Sequence, residues 1–146
     1  MIRNRVLAVA AAVAAAGLVW VAFELIGGVD LRAPQPGNTG ATDDAGIGIV
    51  LGSSAVASLA GWALLAVLEK VTARARMIWT VVAIVVLVLS LGAPLSAAGL
   101  TALNKTALAL MHVAVGVTLI PLLRRTSKPD VAAGAPTPGA GQSAGR

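Results

Sequence analysis

Two ionisable side chains lie inside long apolar segments of this sequence, and both are candidates for proton transfer or cation binding. His112 stands near the middle of one apolar segment, and Glu24 stands close to the end of another. Ionisable groups are costly within a bilayer, so their presence there favours a function. For His112 the functional interpretations are a proton relay, a metal ligand or a haem ligand. The alternative, which we favour, is a neutral histidine that hydrogen-bonds a neighbouring helix through Ser54, Ser58 or a free backbone carbonyl.

The sequence offers few further ligands or catalytic partners for these groups. It contains one histidine and no cysteine, which excludes thiolate metal sites, iron–sulfur clusters and disulfides. A Ser–His–acid triad would need a carboxylate near His112, and a haem or metal site would need more ligands. Glu24 stands at interfacial depth, where its carboxylate reaches outer water. We therefore expect no enzyme activity, no cofactor and no metal site.

Composition places the chain among membrane proteins. Of its 146 residues, 58% are hydrophobic and only 12% are charged, which is too little polar surface for a soluble domain of this size. The formal net charge is +5, but aromatic residues make up only 3% and the cations flank apolar segments. We therefore predict contact with a lipid bilayer and its anionic headgroups, and no nucleic-acid binding.

Four apolar segments are long enough to cross a bilayer. They predict an all-α, polytopic membrane protein with four transmembrane helices in an antiparallel up-down bundle. The spans cover about residues 6–26, 47–68, 77–98 and 102–123, within one transmembrane domain of residues 1–125. We expect the first span to be retained, not cleaved as a signal peptide, because its hydrophobicity continues past the small residues at 14–16. Residues 126–146 are rich in Ala, Gly and Pro, and this composition predicts a disordered cytoplasmic tail.

Small residues recur along the second span, at Gly48, Gly52, Ser54, Ser58 and Gly61. Spacing by four residues puts such positions along one side of a helix, where another backbone can approach closely. We therefore predict that the second span is the central packing helix of the bundle.

Polar residues and breakers predict where the spans begin and bend. Residues 27–46 form a polar segment rich in Gly, Pro and Asp, which is typical of a loop. Asp43 or Asp44 is expected to cap the second span, and Thr101 the fourth, because their side-chain oxygens can accept a free N–H of the first turn. Pro94 lies inside the third span, where a kink is expected.

Basic residues predict the orientation. Of the 11 lysines and arginines, all but Arg32 and Lys105 fall in the N-terminus, in the connector at 69–76 or after the fourth span. The positive-inside rule then places both termini on the cytoplasmic side of a bacterial cell (plasma) membrane. We expect Glu69, in the connector, to be solvated. Five cations are the candidates for contact with anionic lipid: Lys70, Arg74, Arg76, Arg124 and Arg125.

Several motifs together resemble a small actinobacterial family of four-span membrane proteins, a domain of unknown function. They are Gly61-Trp-Ala-Leu-Leu-Ala-Val-Leu-Glu-Lys70, Arg76-Met-Ile-Trp79, Ser90-Leu-Gly-Ala-Pro94 and Ala109-Leu-Met-His-Val-Ala-Val-Gly116. The resemblance implies a four-span membrane protein over roughly residues 3–125 and brings no known activity. It would make Trp62, Glu69, Pro94 and His112 positions that match the family pattern, without a role for any of them.

Two functions remain open from the sequence. The leading hypothesis is a small integral membrane protein that acts through helix–helix packing, with itself or with a membrane partner, because small residues mark the second span and no catalytic set is present. The alternative is a small proton-coupled transporter or channel that uses Glu24, His112 or both.

Overall fold

Four long helices form an antiparallel bundle in the computed structural model, which describes residues 2–35, 37, 40–127 and 129. Helix α1 (Ile2–Trp20) continues into a π-helical segment (Val21–Ile26), followed by α2 (Ile47–Val71), α3 (Ala75–Ser96) and α4 (Ala102–Thr126). Each helix is long and apolar enough to cross a membrane, so the predicted all-α membrane fold is confirmed. Most of the predicted disordered tail lies outside the described residues, and Thr126 belongs to α4.

The most extensive helix interface joins α1 to α4, and the least extensive one between chain neighbours joins α2 to α3. One face of α1 makes this close contact possible: Ala8, Ala12 and Ala16 follow one another at four-residue spacing, and each is at most 1% exposed. Alanine on the contact face lets two helix backbones approach closely. The prediction that the second span is the central packing helix is therefore wrong, since α1 and α4 have that role.

The two ends of the bundle differ in construction. The terminal end holds the start of α1, the short α2–α3 connector and the end of α4. The hairpin end holds a two-stranded antiparallel hairpin, β1 (Arg32–Pro34) with β2 (Thr42–Asp44), and the α3–α4 turn. In that turn Gly99 has a φ of +80°, and a Cβ there would lie 2.6 Å from the carbonyl oxygen of Gly40. Only glycine therefore lets the turn lie against the hairpin loop.

The two predicted helix caps have different outcomes. Thr101 caps α4, since its Oγ1 accepts a hydrogen bond from the N–H of Asn104 at 3.2 Å, as expected. The predicted cap of α2 is wrong: Gly46 occupies the N-cap position without a side-chain hydrogen bond. Asp43 and Asp44 instead belong to β2, where they pair with Ala33 and Arg32 of β1.

Candidate functional site

A cleft of about 710 Å³ separates α2 from α3, and α4 forms its floor. Its wall is almost entirely apolar. From α2 it is lined by Ile49, Val50, Ser53, Ser54, Ala57, Ala60, Gly61 and Leu64, and from α3 by Trp79, Val82, Ala83, Val86, Leu87, Ser90, Ala93 and Pro94. Most of these side chains are small or β-branched, so they leave space between the two helices that neither one fills.

Trp79 sets the separation of α2 and α3 at the terminal end of the cleft. Its side chain is 1% exposed, and its Nε1–H donates to the carbonyl oxygen of Gly61 on α2 at 2.8 Å. A large indole held between two helices keeps their axes apart. Ala57 and Ala83, further along the cleft, are then too short to meet across it. At the hairpin end the cleft reaches Pro34 of β1.

His112 projects from α4 into the floor of this cleft and is half-buried. Its Nδ1 lies 2.7 Å from the carbonyl oxygen of Leu108, one turn earlier in the same helix. A carbonyl can only accept, so Nδ1 carries a proton, and in the neutral tautomer that has this proton Nε2 is an acceptor. No hydrogen bond to Nε2 is seen within the described part of the chain.

The prediction that His112 bonds a neighbouring helix, through Ser54, Ser58 or a free carbonyl, is wrong, since its partner is the carbonyl of Leu108 on its own helix. Ser54 donates its hydroxyl to the carbonyl of Leu51 on its own helix, at 3.0 Å. Ser58 is fully buried, and its Oγ has no hydrogen-bond partner among the described residues. A serine hydroxyl in a helix readily bonds a carbonyl three or four residues earlier, and this local bond competes with any contact to another helix.

Glu24 lies away from the cleft. It sits in the π-helical segment, and its Oε2 accepts a hydrogen bond from the N–H of Leu31 at 3.3 Å. Leu31 is fully buried beneath the hairpin. Glu24 therefore helps hold the hairpin against the bundle, and the structure does not bring it to His112 on the cleft floor.

An ionic clasp closes the terminal end. Arg5 on α1 donates from Nη2 to both carboxylate oxygens of Glu69 on α2, at 2.6 and 2.9 Å, and to the carbonyl oxygen of Thr126 on α4 at 3.2 Å. Both charged side chains are at most 10% exposed. The expectation that Glu69 is solvated is therefore wrong. Adjacent helix ends bring the two charges together, and their pairing offsets the cost of burying them.

The five cations predicted to contact lipid lie around this clasp. Arg76 is half-buried and donates to Ser127, from Nε to Oγ at 3.0 Å and from Nη2 to the backbone oxygen at 3.2 Å. The other four are exposed: Lys70, Arg74, Arg124 and Arg125. Arg76 thus bonds the protein itself, and the exposed four remain the predicted lipid contacts.

The five small residues of the second span fall on different faces of α2. Ser54 and Ser58 are buried, and Gly61 is half-buried against Leu119. Gly48 and Gly52 are exposed, and a Cβ added at either would meet nothing within 4 Å. The predicted packing of these two glycines inside the bundle is therefore wrong. Successive residues of a helix are 100° apart, so one span cannot place all five on one contact face.

A second, more polar depression of about 430 Å³ lies at the hairpin end, beside Thr42 and Asn104. Arg32 at its edge bonds Asp30 from Nε and Nη2, at 3.1 and 2.9 Å. These hydrogen bonds and the charge of Asp30 raise the pKa of Arg32 above its ordinary value. Asn104 is buried, and its Oδ1 has no partner among the described residues.

Comparison with known proteins leaves the chain with a family and no assigned activity. Searches among curated proteins and among solved structures found no match. The actinobacterial source expected from the sequence motifs stays a prediction. The family resemblance can be compared directly with a family model. The model of the family of unknown function DUF6069 matches residues 1–129, most of the 146-residue chain, so the protein belongs to that family.

Proposed function

We propose that this is a small multi-pass protein of the bacterial cell membrane that acts by packing against a second copy of itself through the exposed face of α2, without enzymatic activity. The observation that carries the proposal is the position of Gly48 and Gly52. They lie four residues apart on the outer side of α2, and a Cβ added at either would meet nothing within 4 Å. Val56, the next residue at this spacing, is 69% exposed.

The physical support comes from how helices associate in lipid. Apolar surface gains little by leaving lipid for protein, so association depends on close backbone approach and van der Waals contact. A Gly-x-x-x-Gly pair gives that approach, and α2 does not use its pair inside the monomer. The face formed by Gly48, Gly52 and Val56 is therefore available to an identical helix of a second copy.

The same proposal places the terminal end in the cytoplasm. Lys70, Arg74, Arg124 and Arg125 surround the clasp with exposed positive charge. Each such cation near an anionic leaflet contributes about 1 kcal/mol to the attraction. The cations at this end favour the orientation with both chain ends inside, and they favour contact with anionic headgroups.

Cysteine cross-linking tests self-association directly, because the chain has no cysteine of its own. We expect Val56→Cys to form a disulfide-linked dimer on oxidation in native membranes. Val88→Cys, on the exposed surface of α3, is the matched control and should stay monomeric. Adding Gly52→Leu to Val56→Cys should abolish the dimer, whereas Gly92→Leu, at another glycine with open space around it, should leave it intact.

Two outcomes would contradict self-association. Equal dimer yields from Val56→Cys and Val88→Cys would mean random collision in the membrane. A covalent adduct with a different protein, in place of the dimer, would mean that the face binds a heterologous partner.

The transporter alternative has no observation in its favour. Ion coupling by Glu24 and His112 would be simplest if both faced one pathway, and they lie in different regions of the bundle. Proton-coupled transport in proteoliposomes that is lost in Glu24→Gln and in His112→Ala would nevertheless establish it.

A further inference from the structure

We propose that the cleft between α2 and α3 binds an elongated lipophilic molecule whose hydroxyl group donates a hydrogen bond to Nε2 of His112. This inference does not rest on self-association. The cleft is lined by Ile49 and Ser53, about 100° around α2 from Gly48 and Gly52 of the proposed dimer face, and Val56 lies at the border between the two surfaces. The two surfaces are neighbours on one helix and can be tested separately.

The dimensions of the cleft are those of an elongated ligand site. Its α2 wall runs from Ile49 to Leu64, which is about 22 Å at the rise of an α-helix. Its volume of about 710 Å³ is within the range of ligand sites. A single extended hydrocarbon chain can therefore lie along it.

The serine hydroxyls that line the cleft keep only their acceptor lone pairs, and the indole N–H at its end is already bonded. The hydroxyls of Ser53 and Ser90 donate to the carbonyls of Val50 and Leu87 on their own helices, at 3.2 and 2.7 Å. Ser54 and Trp79 likewise donate hydrogen bonds, to the carbonyl oxygens of Leu51 and Gly61.

His112 completes this pattern, because its Nδ1–H is bonded to Leu108 and Nε2 keeps a lone pair. The donors of this wall are already bonded and its acceptors remain available, so it favours a ligand that carries a hydrogen-bond donor.

The depth of His112 separates this ligand from ordinary phospholipid. His112 is ten residues into α4, about 15 Å from the hairpin end of the helix and thus near the middle of a hydrocarbon core about 30 Å thick. Phospholipid chains carry no hydrogen-bond donor at that depth. A hydroxyl without a hydrogen-bond partner is costly in hydrocarbon. A lipophilic molecule with a hydroxyl at this depth avoids that cost by donating to His112.

A pair of probes that differ only in the donor tests the proposal. The full chain is reconstituted in phosphatidylcholine nanodiscs and labelled with a photoreactive long-chain 4-alkylphenol or with its O-methyl ether. Labelled peptides are quantified by mass spectrometry. We expect labelling of α2, α3 and α4 cleft residues to reach half-saturation at about tenfold lower concentration of the phenol, the size of one buried hydrogen bond.

Three variants locate the site. His112→Phe keeps an aromatic ring but removes the acceptor, so the two probes should saturate at the same concentration. Ala57→Trp fills the cleft and should abolish labelling by both. Ala14→Trp, at an exposed alanine of α1, is the matched control and should leave the phenol preference unchanged.

The proposal fails if wild-type protein saturates at equal phenol and ether concentrations, since any lipid chain would then serve. It also fails if the label maps outside the cleft. Labelling that occurs only after Gly52→Leu would mean that a second copy occupies the cleft, and it would overturn this inference. If Val56→Cys alone forms no disulfide-linked dimer while the phenol preference is retained, the proposed self-association is overturned and this inference stands.

Discussion

The α1–α4 interface and the α2–α3 interface both contain small residues, but the first is closely packed and the second is open. On α1, Ala8 and Ala12 are fully buried in a cluster with Leu119 and Leu123 of α4. On α2, Ala57 and its neighbours line an open cleft. The difference lies in what faces the alanines: α4 supplies Leu119 and Leu123 beside Ala8 and Ala12, whereas most of the α3 side chains between Trp79 and Pro94 that line the cleft are small or β-branched. Small residues thus give close packing only where the opposite helix completes the contact.

The membrane makes both states tolerable for different reasons. A void closed off between α1 and α4 would lose van der Waals contacts with nothing to replace them. An open cleft can be filled by a hydrocarbon chain from the bilayer, so its volume costs little stability. We therefore expect substitutions on the closed side to change the free energy of unfolding much more than substitutions in the cleft.

The largest effect is expected at the clasp that holds the closed side together. Arg5→Met removes the guanidinium facing the buried carboxylate of Glu69, and breaking a buried pair in this way costs about 3 kcal/mol of unfolding free energy. The measurement is chemical denaturation in detergent micelles followed by circular dichroism. Arg3→Met, at an exposed arginine two residues earlier, is the control and should change stability by less than about 0.5 kcal/mol. Equal losses in the two variants would show that the clasp contributes nothing specific.

The second-largest effect is expected when an alanine in each interface is replaced by leucine. Ala12→Leu adds bulk where no space remains, since Ala12 is 0% exposed, and overpacking costs about 2 kcal/mol. Ala57→Leu adds the same bulk to the cleft wall and should change the unfolding free energy by less than about 0.5 kcal/mol. A similar loss in both variants would mean that the cleft is closed in the folded protein.

The smallest effect concerns the hydrogen bond that joins α3 to α2 at the terminal end of the cleft. Trp79→Phe deletes the hydrogen bond to the carbonyl of Gly61, which is worth about 1 kcal/mol. The narrower ring should also let α2 and α3 approach, so saturable labelling of the cleft by the phenol probe should fall. Unchanged labelling would show that something other than the indole separates the helices. Trp62→Phe, at a half-buried tryptophan outside the cleft lining, is the control.

Much of the fold follows from local chemistry and was predictable. Long apolar segments divided by charged or glycine- and proline-rich connectors predict four membrane helices, and the Thr101 cap follows from the position of one hydroxyl. The faces of those helices were not predictable in the same way. In a soluble helix polar residues mark the outside, but in α2 both outside and inside are apolar, because lipid and protein interior are alike in polarity.

The candidate site was likewise predictable only in part from the sequence. The sequence singled out His112, and the structure places it on the floor of a cleft, a location that required three helices to be assembled. The clasp between Arg5 and Glu69 had a sequence signal, since opposite charges stood at span ends predicted to share one side of the membrane. Pairing them still required knowing that α1 and α2 are neighbours in the bundle.

The sequence by itself determined that this protein has four apolar helices, where their connectors lie and which few polar groups enter the apolar segments. These properties depend on residue type and on the length of helix needed to cross a bilayer. Tertiary structure alone decided that α1 packs against α4, that α2 and α3 stand apart and that Gly48 and Gly52 face outward. Those outcomes depend on how side-chain sizes match across each interface, which hydrophobicity does not encode.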